Sequence, residues 1–313
     1  MKSTCKYGES YPGDTKFVAE CRLLQSIYRS EIGENIRPYV SKEKVYLLGN
    51  YIERGKESGA NFLAEYIFDY AKYRVANKKP YETIDSDRLF NNLLSSQPMA
   101  FNLFCPLRKM VKESPEAAIL ALRSALPMYP IARIIDIDLE FIPNNYKELT
   151  GDKSAMDAII RFEDYDGKEC FIAIETKYSE NLGANEASDK TRAIEIIKQL
   201  KCFHPDIEER IANSKIKLTQ IYRNFLLSET YGIDVSSESY SLIIAPKRHP
   251  STGRELHSLV NELNEEYRHK VQSLSLEDFV ERLIANCPPE YINIYNRFYN
   301  RYLDFRKIES ANG

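Results

Sequence analysis

Apolar and polar positions change their period along this chain, and the change divides it. Over residues 16–126 the apolar residues recur at helical spacing with breaks between segments, which predicts an almost entirely helical stretch without strands. Phe17, Cys21, Leu24 and Tyr28 fall on one face before Gly33 and Pro38 interrupt the run. A second helix is expected over 59–73, with Phe62, Tyr66, Tyr70 and Tyr73 on one side; such a stripe packs a core or offers rings for stacking. Residues 85–107 open with capping chemistry and are expected to end their helix at Pro106. Ser114-Pro115-Glu116 then starts a helix through Leu126, with proline at the first helical position.

From residue 131 the period becomes two. Over 131–141 the odd positions Ile135, Ile137, Leu139 and Phe141 are apolar, and Asp136, Asp138 and Glu140 between them are acidic, so the acids should face solvent or a metal. Two more alternating runs, 156–163 and 169–178, flank Asp164-Tyr165-Asp166-Gly167-Lys168 and read as a β-hairpin. If its loop is the three residues Tyr165-Asp166-Gly167, with Gly167 at positive φ, Asp157 falls opposite Glu175. Asp157, Glu175 and Lys177 then share one face, and Ala158, Ile160, Phe162, Cys170, Ile172 and Ile174 share the other. A two-residue Asp166-Gly167 turn would slip the register by one and separate the carboxylates.

Beyond the hairpin, 180–189 reads as a polar loop containing Gly183, followed by helices over 190–203 and 207–227 on either side of His204-Pro205. Residues 240–245 read as a buried strand reached by a helical crossover. It empties into Pro246-Lys247-Arg248-His249-Pro250, a phosphate contact or a solubilising turn. A helix over 254–269, a short edge strand over 270–274 and a helix over 275–285 capped by Ser275 come next. The last helix carries Tyr291, Tyr295, Phe298, Tyr299, Tyr302 and Phe305 as a stripe, with Arg297, Arg301 and Arg306 interleaved. The expected organisation is a helical N-terminal region (1–114), a mixed α/β core (115–285) and a C-terminal helix packed on it (286–313).

Composition narrows the function classes. With 43% hydrophobic and 28% charged residues among 313, the chain is an ordinary globular protein, and its net charge of −3 excludes a simple basic coat for nucleic acid. Any contact with DNA must come from a local patch. The six cysteines lack CxxC spacing and read as free thiols of a reducing compartment; with a polar opening and no apolar run of membrane length, the expectation is a cytoplasmic protein.

The chemistry concentrates on Asp157, Glu175 and Lys177. Two carboxylates one strand apart repel, so one stays protonated unless a cation neutralises them. Oxygen ligands suit a hard ion, Mg²⁺ or Mn²⁺, which would activate a water and clamp a phosphoryl oxygen beside the ammonium. The alternative is a salt-bridged sheet face. The first reading implies metal-assisted hydrolysis of a phosphodiester.

Asp157 followed by Glu175-Thr176-Lys177 resembles the D…(D/E)xK signature of the PD-(D/E)xK nuclease superfamily. More narrowly, 149–157 (LTGDKSAMD) and 172–178 (IAIETKY) resemble a bacterial family of restriction-type endonucleases of the Porphyromonas type, and the likeness continues through 94–98 (LSSQP) and 218–223 (LTQIYR). Met156 stands where the name-giving proline would be, a departure many members share. The resemblance implies a restriction-endonuclease-like α/β fold, a mixed sheet flanked by helices. It also implies Mg²⁺-dependent cleavage of DNA in restriction or defence, with Asp157 and Glu175 as metal ligands and Lys177 placing the attacking water. Further acids often join such sites, and Glu140, then Glu116, are the candidates here. Gln220 resembles the glutamine that several branches carry on the helix after the lysine strand. Lys247, Arg248 and Arg223 are the expected nucleic-acid contacts, and a homodimer is one compatible assembly. An inactive binding or scaffold protein, a repair exonuclease or an RNase are the rival readings.

Overall fold

The structure, a computed structural model, describes residues 6–183, 186–187, 189–213 and 215–311. Parts of the polar loop expected over 180–189, and Cys5, lie outside the described residues. Helices dominate the first part of the chain: α1 (Lys16–Glu31), α2 (Glu65–Ala76), α3 (Ser96–Glu113) and α4 (Pro115–Ala125), with a shorter helix, Ser86–Asn91, before α3. Thr15 caps α1 by accepting from the Val18 N–H, and Phe17, Cys21 and Leu24 are buried beneath it.

Two expectations fail here. The stretch is not free of strands, because β1 (Tyr39–Ser41) and β2 (Lys44–Tyr46) pair as a hairpin. Its turn residues Lys42 and Glu43 both have positive φ, as a two-residue type I′ turn needs, yet neither is the glycine or asparagine that announces one. Nor does α3 stop at Pro106. A proline removes one ladder N–H, and the burial of Phe101, Leu103, Phe104, Leu107 and Met110 along the same helix outweighs that loss.

The alternating segments form one five-stranded sheet of β3 (Arg133–Phe141), β4 (Met156–Glu163), β5 (Glu169–Thr176), β6 (Glu238–Ala245) and β7 (Val271–Ser275), in that spatial order. β3, β4 and β5 are antiparallel neighbours; β5, β6 and β7 run parallel. The hairpin between β4 and β5 has the three-residue loop. Asp164 N–H donates to Lys168 O, Gly167 sits at φ 78°, and the ladder ends on Ala158↔Ile174. Asp157 and Glu175 are therefore the next positions in register.

In β3 strict alternation breaks. A bulge between Ile134 and Asp136 leaves Ile135 exposed and buries Ile134 in its place. Asp136 is exposed and Asp138 half-buried, and each also meets an arginine: Arg161 Nη1 lies 2.9 Å from Asp136, and Arg74 Nη1 lies 2.9 Å from Asp138.

The crossover from β5 to β6 carries α5 (Lys190–Leu200), a short helix Ile207–Ala212 and α6 (Gln220–Asp234). The single helix expected over 207–227 is thus two, because Leu218 O is diverted to the N–H of Ala187 and a new helix starts after Thr219. Likewise the helix expected over 254–269 is α7 (Thr252–Val260) followed by a 3₁₀ turn, Glu265–Lys270. Ser275 caps α8 (Leu276–Asn286) by accepting from Asp278 N–H, and α9 (Pro289–Tyr302) is followed by a short helix, Arg306–Ala311, so the single last helix expected is two. Tyr291, Tyr295, Phe298 and Tyr302 of α9 are buried, so the aromatic stripe is core. One apolar cluster fills the sheet face toward α3, α4, α8 and α9, and a second lies under α5, α6 and α7.

Candidate active site

Three neighbouring strands deliver three carboxylates in a row. Leu139 pairs with Ala158 and Phe141 with Met156, so Glu140 of β3 lies opposite Asp157 of β4, which in turn faces Glu175 of β5. Lys177 follows one alternation later, where its N–H donates to Ile244 O at 2.9 Å and continues the parallel ladder onto β6. Glu140, Glu175 and Lys177 are all buried. The backbone at Glu140 takes the left-handed conformation (φ 52°), which costs a non-glycine residue about 1–2 kcal/mol. Arg74 Nη2 holds its carbonyl oxygen at 3.2 Å.

Each carboxylate is fixed by its own donors. Asp157 Oδ2 accepts from both the N–H and the Oγ1–H of Thr176, each at 2.7 Å. Glu175 Oε1 accepts from Gln220 Nε2 at 2.7 Å and is paired with Lys177 Nζ at 2.7 Å, while Oε2 accepts from Asn224 Nδ2 at 2.6 Å. Gln220 and Asn224 stand four apart on α6, so one helical face supplies both amides.

The electrostatics follow from burial and crowding. Desolvation drives the Asp157 pKa well above its ordinary value, and the charges of Glu175 and Glu140 add to it. Glu140 is pushed up to about 7, chiefly by burial, with the Gln97 amide opposing. Burial presses Lys177 down, but Glu175 and Asp157 outweigh it and hold the ammonium above its usual range. Lys177 is a cation here rather than a base, and it is one positive charge against three acids. The donor set is oxygen-rich and short of positive charge, which fits a hard divalent cation. Asp157 and Glu175 could hold it, with Glu140 adjacent. Among the described residues no three His, Cys, Asp or Glu side chains could hold a metal ion by themselves.

Behind this row lies a layer that sequence reasoning missed. Glu180, just past Lys177, accepts from Ser96 N–H at 2.7 Å and from the N–H groups of Tyr178 and Ser179 at 3.2 Å. Burial would raise its pKa, but Lys177 and these donors bring it below the usual range. His249 Nε2 lies 2.9 Å from Glu180 O, and Thr252 Oγ1 lies 2.8 Å from its Nδ1. The segment Leu94–Pro98 thus reaches the site through Ser96 and Gln97. Asn224 could have been found from Gln220 by its helical spacing, and Gln97 from its place in the 94–98 stretch that carries the resemblance; Glu180 and Arg74 had no local signal.

The other candidates fall elsewhere. Glu116 is exposed on α4. Arg223 binds Asp152 through Nε (2.5 Å) and Nη2 (2.7 Å) and Ser154 Oγ at 2.8 Å, fastening the chain that leads into β4. Lys247 pairs with Asp278 at 2.7 Å and Arg248 with Glu20 at 2.5 Å. Among the described residues the cysteines Cys21, Cys105, Cys170, Cys202 and Cys287 are free and buried.

No curated protein and no solved structure matches this chain. A family model described as the PD-(D/E)XK nuclease superfamily, whose members generally use divalent metals, matches residues 12–304, nearly the whole chain. The five-stranded mixed sheet flanked by helices is consistent with that fold, and the chain belongs to the PD-(D/E)XK nuclease superfamily.

Proposed function

We propose that this protein is a Mg²⁺- or Mn²⁺-dependent endonuclease that hydrolyses phosphodiester bonds of DNA in a restriction or defence setting. The observation that carries the reading is the row Glu140, Asp157 and Glu175 with Lys177 at its end. When bound, the ion lowers the pKa of a coordinated water and polarises a phosphoryl oxygen.

The chain's own groups do the rest. Asp157 and Glu175 would hold the ion, and Thr176, Gln220 and Asn224 keep their carboxylates from rotating away. The Lys177 ammonium donates to the attacking water and aligns it, and it offsets negative charge that grows on the phosphate oxygens as the water oxygen bonds to phosphorus and the ester oxygen departs. The Glu175 contact, at 2.7 Å, sets where that ammonium points.

The test is cleavage of supercoiled plasmid and of single strands with added Mg²⁺ or Mn²⁺, comparing the wild type with Glu175→Ala and Lys177→Ala. Both substitutions are expected to lower the rate at least about a hundredfold. Unchanged rates in both variants, or no cleavage together with no calorimetric binding of either ion, would overturn the proposal.

A further inference from the structure

A cavity of about 380 Å³ opens between α2, α3 and the outer edge of β3. Its chemistry is aromatic and basic. Tyr70 and Tyr73 lie stacked with ring centroids 6.3 Å apart and planes 18° from parallel, and Tyr73 is 59% exposed. The stack is locked from behind: Tyr70 Oη donates to Asp138 at 2.8 Å, and the Arg108 guanidinium sits over the Tyr70 ring at 4.2 Å. Arg108 Nε is buried without a hydrogen-bond partner.

The charges lining the cavity do not cancel locally. Arg74 is taken up by Asp138 and Glu82, and Asp136 by Arg161. Arg108, Lys112 and Lys79 also line it, and among the described residues none of the three forms an ion pair with a carboxylate. A preformed ring platform beside uncompensated cations suits an anion that carries a flat ring, a nucleotide within a strand.

Position connects the cavity to the candidate active site. Asp138 lines it, and Glu140 lies two residues further along the same strand, about 7 Å at the rise of a β-strand. Arg74 bridges the two, bonding both the Asp138 carboxylate and the Glu140 carbonyl. Since each strand of a duplex carries a phosphate about every 3.4 Å of helix axis, and neighbouring phosphates lie further apart through space, this separation is on the order of one or two nucleotides.

We propose that the cavity is a second contact for the substrate strand, taking a phosphate on Arg108 and Lys112 and stacking a base on the open face of Tyr73, on the order of one or two nucleotides from the bond that is cut. The proposal rests on the endonuclease reading and extends it.

Fluorescence anisotropy with an end-labelled DNA oligonucleotide, single-stranded and duplex, in EDTA to prevent cleavage, tests it. The variants are Tyr73→Ala, Tyr73→Phe and Lys112→Glu, both positions being exposed, with thermal melts confirming that each folds. Tyr73→Ala is expected to bind about tenfold more weakly while Tyr73→Phe retains wild-type affinity. Lys112→Glu should flatten the slope of log K against log salt by about one. Variants that bind and cleave like the wild type would overturn the cavity's role and leave the nuclease reading standing. A wild type that neither binds nor cleaves DNA would overturn both.

Discussion

Glu175 meets three donors, Lys177, Gln220 and Asn224, and its usefulness as a ligand depends on them. Removing either amide leaves the carboxylate free to turn, so Gln220→Ala and Asn224→Ala should each weaken Mn²⁺ binding about 10- to 100-fold by calorimetry, with the fold intact. Asp152 makes a different prediction. Burial would raise its pKa, but Arg223 outweighs burial and holds it below the ordinary 3.8. A lowered pKa in the folded state means that the pair's contribution is fully present above 3.8 and is lost as pH falls through the folded value. Asp152→Asn should therefore cost about 1–2 kcal/mol in urea unfolding at pH 7, with the difference from wild type closing under acid. At this scale the sequence was most legible where chemistry is repeated at fixed spacing. Asp157, Glu175 and Lys177 could be placed because side chains alternate along a strand, and Gln220 because it follows the lysine strand on a helix. Gln97 and Arg74 could not be placed that way, because each reaches the site across many residues of intervening chain, and Glu180 could not because it lies past the end of the strand, where alternation no longer fixes a face.

The hairpin that joins β4 to β5 shows what a single element contributes. Its odd loop sets the register that brings Asp157 against Glu175, and its one demanding position is Gly167, at φ 78°. A Cβ there would meet nothing within 4 Å, so the cost of a side chain is conformational alone. Gly167→Val is expected to lower stability by about 1–2 kcal/mol, seen as a lower melting temperature, and to leave cleavage unchanged. Elements were legible when their signal was local, as with this turn and the Ser275 cap. They were misread where distant contacts decided: Pro106 stays helical because its neighbours are buried, and the run 207–227 breaks because Leu218 bonds to Ala187. The β1–β2 hairpin escaped notice because Val40 and Val45 point outward and its turn lacks glycine.

Across the whole molecule, α1 and α9 are joined by a buried cation. Arg301 of α9 is 1% exposed, and it donates to Gln25 Oε1 of α1 at 3.1 Å and to Asn61 O and Oδ1 at 2.8 and 2.6 Å, between the rings of Tyr28 and Tyr302. Arg301→Ala strips those acceptors and leaves a void, so it should destabilise by about 3 kcal/mol or more in chemical denaturation. Lysine, lacking the planar fork, should restore only part of the loss. No helix among the described residues is long and apolar enough to cross a membrane. The row Glu140, Asp157 and Glu175 has a further consequence for how such a chain evolves. The fold tolerates three crowded acids and a strained backbone at Glu140, so it would be firmer without them. Glutamine at 140 would relieve the repulsion, and glycine there would relax the backbone as well. A library selected for heat resistance alone would drift toward those changes, gaining stability at the expense of the acidic row on which the proposed cleavage rests.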